Sequence, residues 1–318
     1  MAEETLRATL GDGTSMPVIG LGTYRPRSPM TRRVLHQAGG GAAEEAVMQA
    51  VDAGYRHIDT APFFGNEREV GRAVAAKIGE GAVTREDMYL SSKLWNTDHR
   101  PDLVEAACRR TLADLGTDYL DLYLMHFPTA FKAGGEPVPR GADGQVLFDD
   151  VDFVDTYQAM EALVDKGLVR SIGVSNFNSA QLRRLLANCN VRPVVNQVEV
   201  HPRRTQEGLV NLCQVHDVQV VAHSPLAAGG LLGHADVAVL ARAHGKTPAQ
   251  VLLRYLFQRG VIPVPKTVTR SRMDENLDIF DFELSTDEVD ELDSLNEDAA
   301  VFTFPEAVGH PEYPFDAE

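Results

Sequence analysis

Residues 101–126 read PDLVEAACRRTLADLGTDYLDLYLMH. The first part carries apolar side chains at helical spacing, opens on Pro101 and closes on Gly116, which readily takes the left-handed conformation that stops a helix. The second part, YLDLYLMH (119–126), is a nearly continuous apolar run that ends on a polar residue. Such a run suits a parallel strand buried on both faces. A helix feeding a doubly buried strand is a piece of a βαβ unit, and the chain repeats it.

Seven further runs have the same character: MPVIGLGT (16–23), RHIDTA (56–61), MYLSSK (88–93), VRSIGVS (169–175), PVVNQVEV (193–200), VQVVAHS (218–224) and VIPVPK (261–266). Amphipathic stretches lie between them. Residues 42–53 predict a helix closed by Gly54, residues 66–77 another, and residues 153–166 one closed by Gly167. Capping boxes pair Thr247 with Gln250, behind Pro248, and Ser285 with Glu288. No linker divides the pattern, so residues 1–318 are expected to form a single (β/α)8 TIM barrel domain. The opening LRATLGDGTSMP predicts a β-hairpin over 5–17, turning at Asp12-Gly13 and plugging the barrel bottom. A doubly wound open sheet is the structural alternative. It would require a G-x-G-x-x-G turn after the first strand, where the chain has GLGTYR.

The segment 25–41 is long and rich in Arg, Gly and Pro, and is read as a surface loop; the loop after His126 is long as well. The C-terminal loop, 297–318, lacks periodicity but carries Phe302, Phe304, Tyr313 and Phe315. Long loops and an aromatic tail over a barrel mouth are expected to shape a pocket.

Composition narrows the function. Lys plus Arg total 30 and Asp plus Glu 46, a net charge of −16. That balance disfavours nucleic acid and anionic membranes, both of which need broad positive potential. No apolar run approaches the roughly 20 residues of a membrane span. The start, MAEETLRATLGDG, shows neither a basic nor an apolar signal region, so a cytoplasmic protein is expected. Cys108, Cys189 and Cys213 form no C-x-x-C pair and are read as reduced thiols.

In such a barrel, catalytic groups stand at the C-terminal ends of strands. The last polar residues of the runs are Asp59, Lys93, His126, Ser175 with Asn176, Gln197 or Glu199, Ser224 and Lys266. Singly, each has an ordinary structural explanation: a turn cap, a salt-bridged lysine, a satisfied core histidine. Together, an Asp that fixes a Lys beside a His at one opening can shift the pKa of a neighbouring acid. The pairs His57-x-Asp59 and Glu199-x-His201 would also suit a metal hydrolase. Lys266, Arg270 and Arg272 fall within seven residues at a strand end, a setting for a phosphate.

Six motifs then occur in order: GYRHIDTAPFFGNEREVGRAV (54–74), SSKLWNTDH (91–99), LDLYLMHFP (120–128), GVSNFN (173–178), NQVEVHP (196–202) and IPVPKTVTRSRMDENLDIFDFEL (262–284). With these the chain resembles the aldo-keto reductase superfamily from about residue 6 to residue 315. The tail GHPEYPF (309–315) is most similar to the aldehyde reductase and aldose reductase branch. The resemblance implies reduction of aldehydes and ketones with NADPH and without metal, by a monomer. It also implies a tetrad of Asp, Tyr, Lys and His.

Asp59, Lys93 and His126 match three of these positions, but the tyrosine position is Phe64. Phe64 keeps the ring and lacks the proton donor. It is either an engineered replacement or a native divergence in which His126, Tyr24 or water donates. The resemblance assigns Ser175, Asn176 and Gln197 to the nicotinamide carboxamide. Thr23, Ser224 and Leu226 fall to the pyrophosphate, and Lys266, Thr267, Arg272, Glu275 and Asn276 to the adenosine end. His223 stands where the family has an aromatic ring to stack on the nicotinamide. Tyr24, Phe63, Trp95 and Phe127 would line an apolar substrate pocket. Two functions stay open: a reductase of small-molecule carbonyls, and a reductase relative that holds NADPH as a binding or sensor protein.

Overall fold

The computed structural model describes residues 5–24 and 41–315; most of the segment 25–41 lies outside the described residues. A hairpin of β1 (Arg7–Thr9) and β2 (Ser15–Pro17) comes first. The chain then runs β3 (Leu21–Gly22), α1 (Ala42–Ala53), β4 (His57–Asp59), α2 (Glu67–Gly79), β5 (Tyr89–Leu94), α3 (Pro101–Leu115) and β6 (Leu120–Met125). Next come α4 (Phe153–Asp165), β7 (Val169–Ser175), α5 (Ser179–Leu186), β8 (Val195–Glu199), α6 (Glu207–Val215) and β9 (Gln219–His223). The remaining elements are α7 (Ala235–His244), α8 (Pro248–Gln258), β10 (Ile262–Pro263), α9 (Arg270–Leu277) and α10 (Thr286–Asp293).

Strands β3 to β10 pair in sequence order, each parallel to the next. The sheet closes on itself where Gly20 and Gly22 donate their amides to the carbonyls of Pro263 and Pro265, both at 3.1 Å. Proline has no amide to donate but keeps its carbonyl, so this last seam is one-sided. Gly22 also permits the approach, since a Cβ there would lie 2.8 Å from the Val264 carbonyl. The closed sheet with helices outside is the expected α/β barrel.

The first apolar run, 16–23, divides where a single strand was expected. Its start belongs to the hairpin and its end to β3. The chain has to turn there, because Met16 and Leu10 pack under the barrel against Tyr89, Leu122, Val195, Val221 and Ile262. Asp12 in the hairpin turn also accepts the Ser171 hydroxyl of β7 at 2.6 Å. The hairpin is thus fixed to the barrel floor by apolar burial and by a polar tie.

A second apolar layer lies between strands and helices, from Val47 and Val70 through Leu112 and Met160 to Leu182 and Leu252. Helix α2 meets the end of α3 at Gly71, where a Cβ would overlap the Leu115 carbonyl. A third cluster caps the mouth. There Phe304 and Ala307 of the tail join Trp95, Phe127 and Phe131, with Phe63, Phe302 and Phe315 partly buried around them. No helix among the described residues is long and apolar enough to cross a membrane.

Candidate active site

Register brings the polar strand ends together. Asp59 of β4 pairs with Ser91 of β5, and Lys93 lies two residues further on the same face. The Lys93 ammonium donates to both Asp59 oxygens, at 2.8 and 2.7 Å, and to the Thr60 carbonyl at 3.0 Å. Asp59 further accepts the Ser91 hydroxyl at 2.8 Å and the Gln197 amide at 3.0 Å. Lys93 and Asp59 are 1% and 3% exposed, so this is a fully desolvated ion pair. Burial raises the Asp59 carboxyl, but Lys93 and Gln197 outweigh it and hold the group below its ordinary value. Burial pushes the Lys93 ammonium down, against the pull of Asp59.

Such a pair is expensive to break. Asp59→Asn leaves the Lys93 ammonium buried without a counter-charge and is expected to cost about 3–5 kcal/mol of folding stability. Urea denaturation near neutral pH measures it. A loss below about 1 kcal/mol, the size of an exposed pair, would mean that the ammonium is not desolvated.

Ser91 was not singled out in the sequence, although it alternates with Lys93 on one face. Because its hydroxyl donates to Asp59, it accepts from His57 Nε2 at 3.0 Å, leaving His57 Nδ1 buried without a partner. A second unread group is Glu67. It lies 5% exposed beneath the site, accepts the Ser92 hydroxyl at 2.7 Å, and is pushed up to about 7 by burial. Asn66, the expected first residue of α2, lies just outside the helix. Its amide donates to the Thr23 carbonyl at 3.0 Å and its oxygen accepts the Thr60 hydroxyl at 2.9 Å, tying two loops of the rim.

His126 follows β6 and is buried. Burial first, and Lys93 next, push its imidazole well below the ordinary value, so the ring is neutral. Its Nδ1 is buried without a hydrogen bond. Around it stand Trp95 at 5.1 Å, Phe64 at 5.8 Å and Phe63 at 6.4 Å, all edge-on, with Phe127 stacked at 5.0 Å between ring centres. The Lys93 ammonium lies 5.2 Å from the Phe64 ring centre, and the Tyr24 ring 5.0 Å from it. Phe63 stacks on Trp95 at 4.0 Å. Tyr24, Phe63 and Phe64 are half-buried, whereas Trp95 and Phe127 are buried beneath the tail.

A polar chain runs from His126 toward β9. The Asn176 amide donates to the His126 carbonyl at 2.9 Å and to the Ser175 hydroxyl at 3.1 Å. Ser175 in turn donates to the Gln197 carbonyl at 2.8 Å. The Asn176 oxygen is then an acceptor, so His223 Nε2 carries the proton of their 3.1 Å contact. The other nitrogen, Nδ1, accepts from Ser224 at 3.2 Å. Asn176 and Ser224 both hold positive φ, 59° and 51°. Non-glycine residues persist in that region only when their surroundings over-determine it, a state typical of functional sites.

Thr23 is buried, with its hydroxyl donating to the Asp59 carbonyl at 2.9 Å. Beside it a shallow cleft is lined by Gly22, Thr23, Ala43, Lys266 and Thr267. Lys266 and Arg272 are exposed, Glu275 and Leu226 half-buried and Asn276 buried. Arg270 departs from the basic cluster expected there: it pairs with Asp274 at 2.9 Å and reaches the carbonyls of Gln49 and Asp52 on α1. His57-x-Asp59 and Glu199-x-His201 do not converge. The first pair serves Ser91 and Lys93, the second binds internally at 2.9 Å. A cavity of about 470 Å³ is bordered by Asn176, Glu199, Arg204, Gln206 and Phe315.

Residues 18–297 match the model described as the aldo/keto reductase family. The chain is 44% identical to aldo-keto reductase family 1 member A1 of Bos taurus over 326 residues, covering 96% of this chain and 97% of that one. It is 43% identical to the Homo sapiens protein of the same description, with the same coverage. Among solved structures, the aldose reductase of Schistosoma japonicum superposes with a TM-score of 0.91 at 42% identity, covering 98% of this chain and 99% of that one.

Proposed function

The chain belongs to the aldo/keto reductase family, whose chemistry is carbonyl reduction, and from this we propose that it reduces aldehydes and ketones to alcohols with NADPH, at a site impaired by Phe64. The observation that carries the reading is the desolvated Lys93–Asp59 pair set beside a neutral His126 at the mouth of the barrel. The donor set suits the cofactor: hydroxyl and amide groups of Ser175, Asn176 and Gln197 near His223 at one end, and the cleft of Thr23, Lys266 and Thr267 at the other. Ser224 and Leu226 would serve the pyrophosphate. Arg272, Glu275 and Asn276 complete the adenosine end. Arg272 is exposed and forms no ion pair among the described residues, which leaves its guanidinium available to a 2′-phosphate.

When bound, the dihydronicotinamide supplies the hydride. The remaining work falls to the protein. His126, neutral and wedged among Trp95, Phe127 and Phe63, orients the carbonyl oxygen. Tyr24, Phe63, Phe64 and Trp95 give apolar walls that favour an aromatic or aliphatic carbonyl and exclude water. Asp59 fixes Lys93 so that its charge faces the ring of Phe64, where the family's proton donor would stand. The enzyme is taken to act in the cytoplasm as a monomer on a small molecule, with neither nucleic acid nor membrane as partner. The acidic balance disfavours nucleic acid and anionic membranes, and the free, buried thiols of Cys108 and Cys213 suit a reducing compartment.

The cofactor assignment is testable apart from turnover. Arg272→Ala is expected to weaken NADPH binding about 10–100-fold, the worth of hydrogen bonds to a charged group, and to leave NADH binding nearly unchanged. Quenching of Trp95, the single tryptophan, reads both. Equal losses for the two nucleotides would remove the 2′-phosphate from Arg272. One observation, the bare ring of Phe64, favours a second reading: an NADPH-binding relative that serves as a binding or sensor protein. It predicts NADPH binding with no carbonyl turnover, even when the phenol is restored.

A further inference from the structure

Glu199 is the last residue of β8 and is 3% exposed. It touches none of the groups around Lys93. Its carboxylate instead meets the start of the C-terminal segment. One oxygen accepts the Val301 amide at 2.7 Å and the other the Phe302 amide at 3.0 Å. His201 Nε2 lies 2.9 Å from Glu199 Oε1, and His201 Nδ1 is buried without a partner. Nε2 is thus the ring nitrogen that faces the carboxylate and can donate to it. A buried carboxylate is tolerated only when its lone pairs are filled. Here His201 Nε2 and the two backbone amides of a segment about a hundred residues downstream supply the partners.

Beyond those amides the chain forms the lid. Phe302 sets its ring edge-on to His223 at 6.2 Å. Phe304 stacks on Phe127 at 4.6 Å and meets Trp95 at 5.7 Å. Phe304 is held there at φ 46°, a conformation that a bulky residue keeps only under constraint. Weaker ties flank the carboxylate at the surface, where Arg203 pairs with Glu297 at 2.6 Å.

We propose that Glu199 is a positioning residue that latches residues 301–315 over the barrel mouth, and through Phe302 and Phe304 sets the apolar roof of the site. The docking itself stands on the contacts above; only its meaning for carbonyl selection rests on the reductase reading.

The test is hydrogen exchange together with Trp95 emission in two variants. Glu199→Gln keeps the volume but turns one acceptor into a donor facing an amide. Val301→Pro removes the 2.7 Å donor from the tail side and leaves the barrel untouched. Each is expected to speed exchange of the remaining amides in 301–315 by about 10–100-fold, the worth of a hydrogen bond to a charged group, with β5 and β8 still protected. Trp95 emission shifts to longer wavelength as Phe304 lifts away. Unchanged tail exchange in both variants overturns the latch, and so does a rise spread evenly over strands and tail, the signature of a merely weakened barrel. If NADPH oxidation fails even after Phe64→Tyr while the tail-confined pattern appears, the reductase reading falls and the latch stands.

Discussion

Restoring the phenol by Phe64→Tyr is expected to raise kcat for an aromatic aldehyde by about 10²–10⁴-fold, the usual contribution of a positioned general acid. The ring is already in place, 5.8 Å from His126 and with the Lys93 ammonium 5.2 Å from its centre. A cation so close lowers the pKa of a phenol, and Asp59 prevents that cation from moving away. KM should change little, because ring volume is kept. Phe63→Tyr, on a ring stacked against Trp95, should give no such gain and serves as the control. Nicotinamide oxidation measures all three chains. Strong turnover without the phenol would assign the proton to Tyr24, His126 or water. No turnover in any chain, with NADPH still bound, would favour the binding-protein reading.

Stability should collapse between about pH 6.5 and pH 4, because the native chain keeps several histidines neutral. Burial pushes His57 to about 4, His99 to about 3 and His223 to about 4, and His126 well below its ordinary value. The unfolded chain takes up these protons near the ordinary histidine value, and the folded chain does not. A lowered histidine thus stabilises fully above that value and loses its contribution as pH falls toward the native one. Glu67 acts in the opposite sense: raised to about 7, it holds its proton in the fold and gives up its stabilisation as pH rises toward 7. With these four histidines against one glutamate, the fall is about 4 kcal/mol per pH unit near pH 5. Denaturant midpoints measured from about pH 7 downward test this, and a flat profile to about pH 5 would mean that these imidazoles are hydrated.

The barrel was legible because its signals are local. Pro101 and Gly116 bound α3, the Thr247 and Ser285 boxes open α8 and α10, and each apolar run marks a strand. Each of these signals acts through neighbours within a few residues. The exception was the run 16–23, which reads as one strand and divides because its first residues bury under the barrel. Periodicity carries no mark of that division, since it arises from packing against five other strands.

The site was legible only as candidates. Strand ends named Asp59, Lys93 and His126, and the missing hydroxyl at Phe64 was plain from its place in the motif. Their partners were not. Arg270 looked like a phosphate ligand by spacing, yet Asp274 and α1 take its guanidinium. Glu199-x-His201 looked like metal ligands by strand alternation, yet the tail amides fill the carboxylate. The elements, their order and the groups offered at the mouth follow from adjacent residues, because helix, strand and turn preferences are local. Which partner each group takes follows from long-range packing. Gln197 reaches Asp59 across 138 residues and Val301 reaches Glu199 across 102. Such pairings exist only once the sheet has closed and burial makes an unpaired polar group costly.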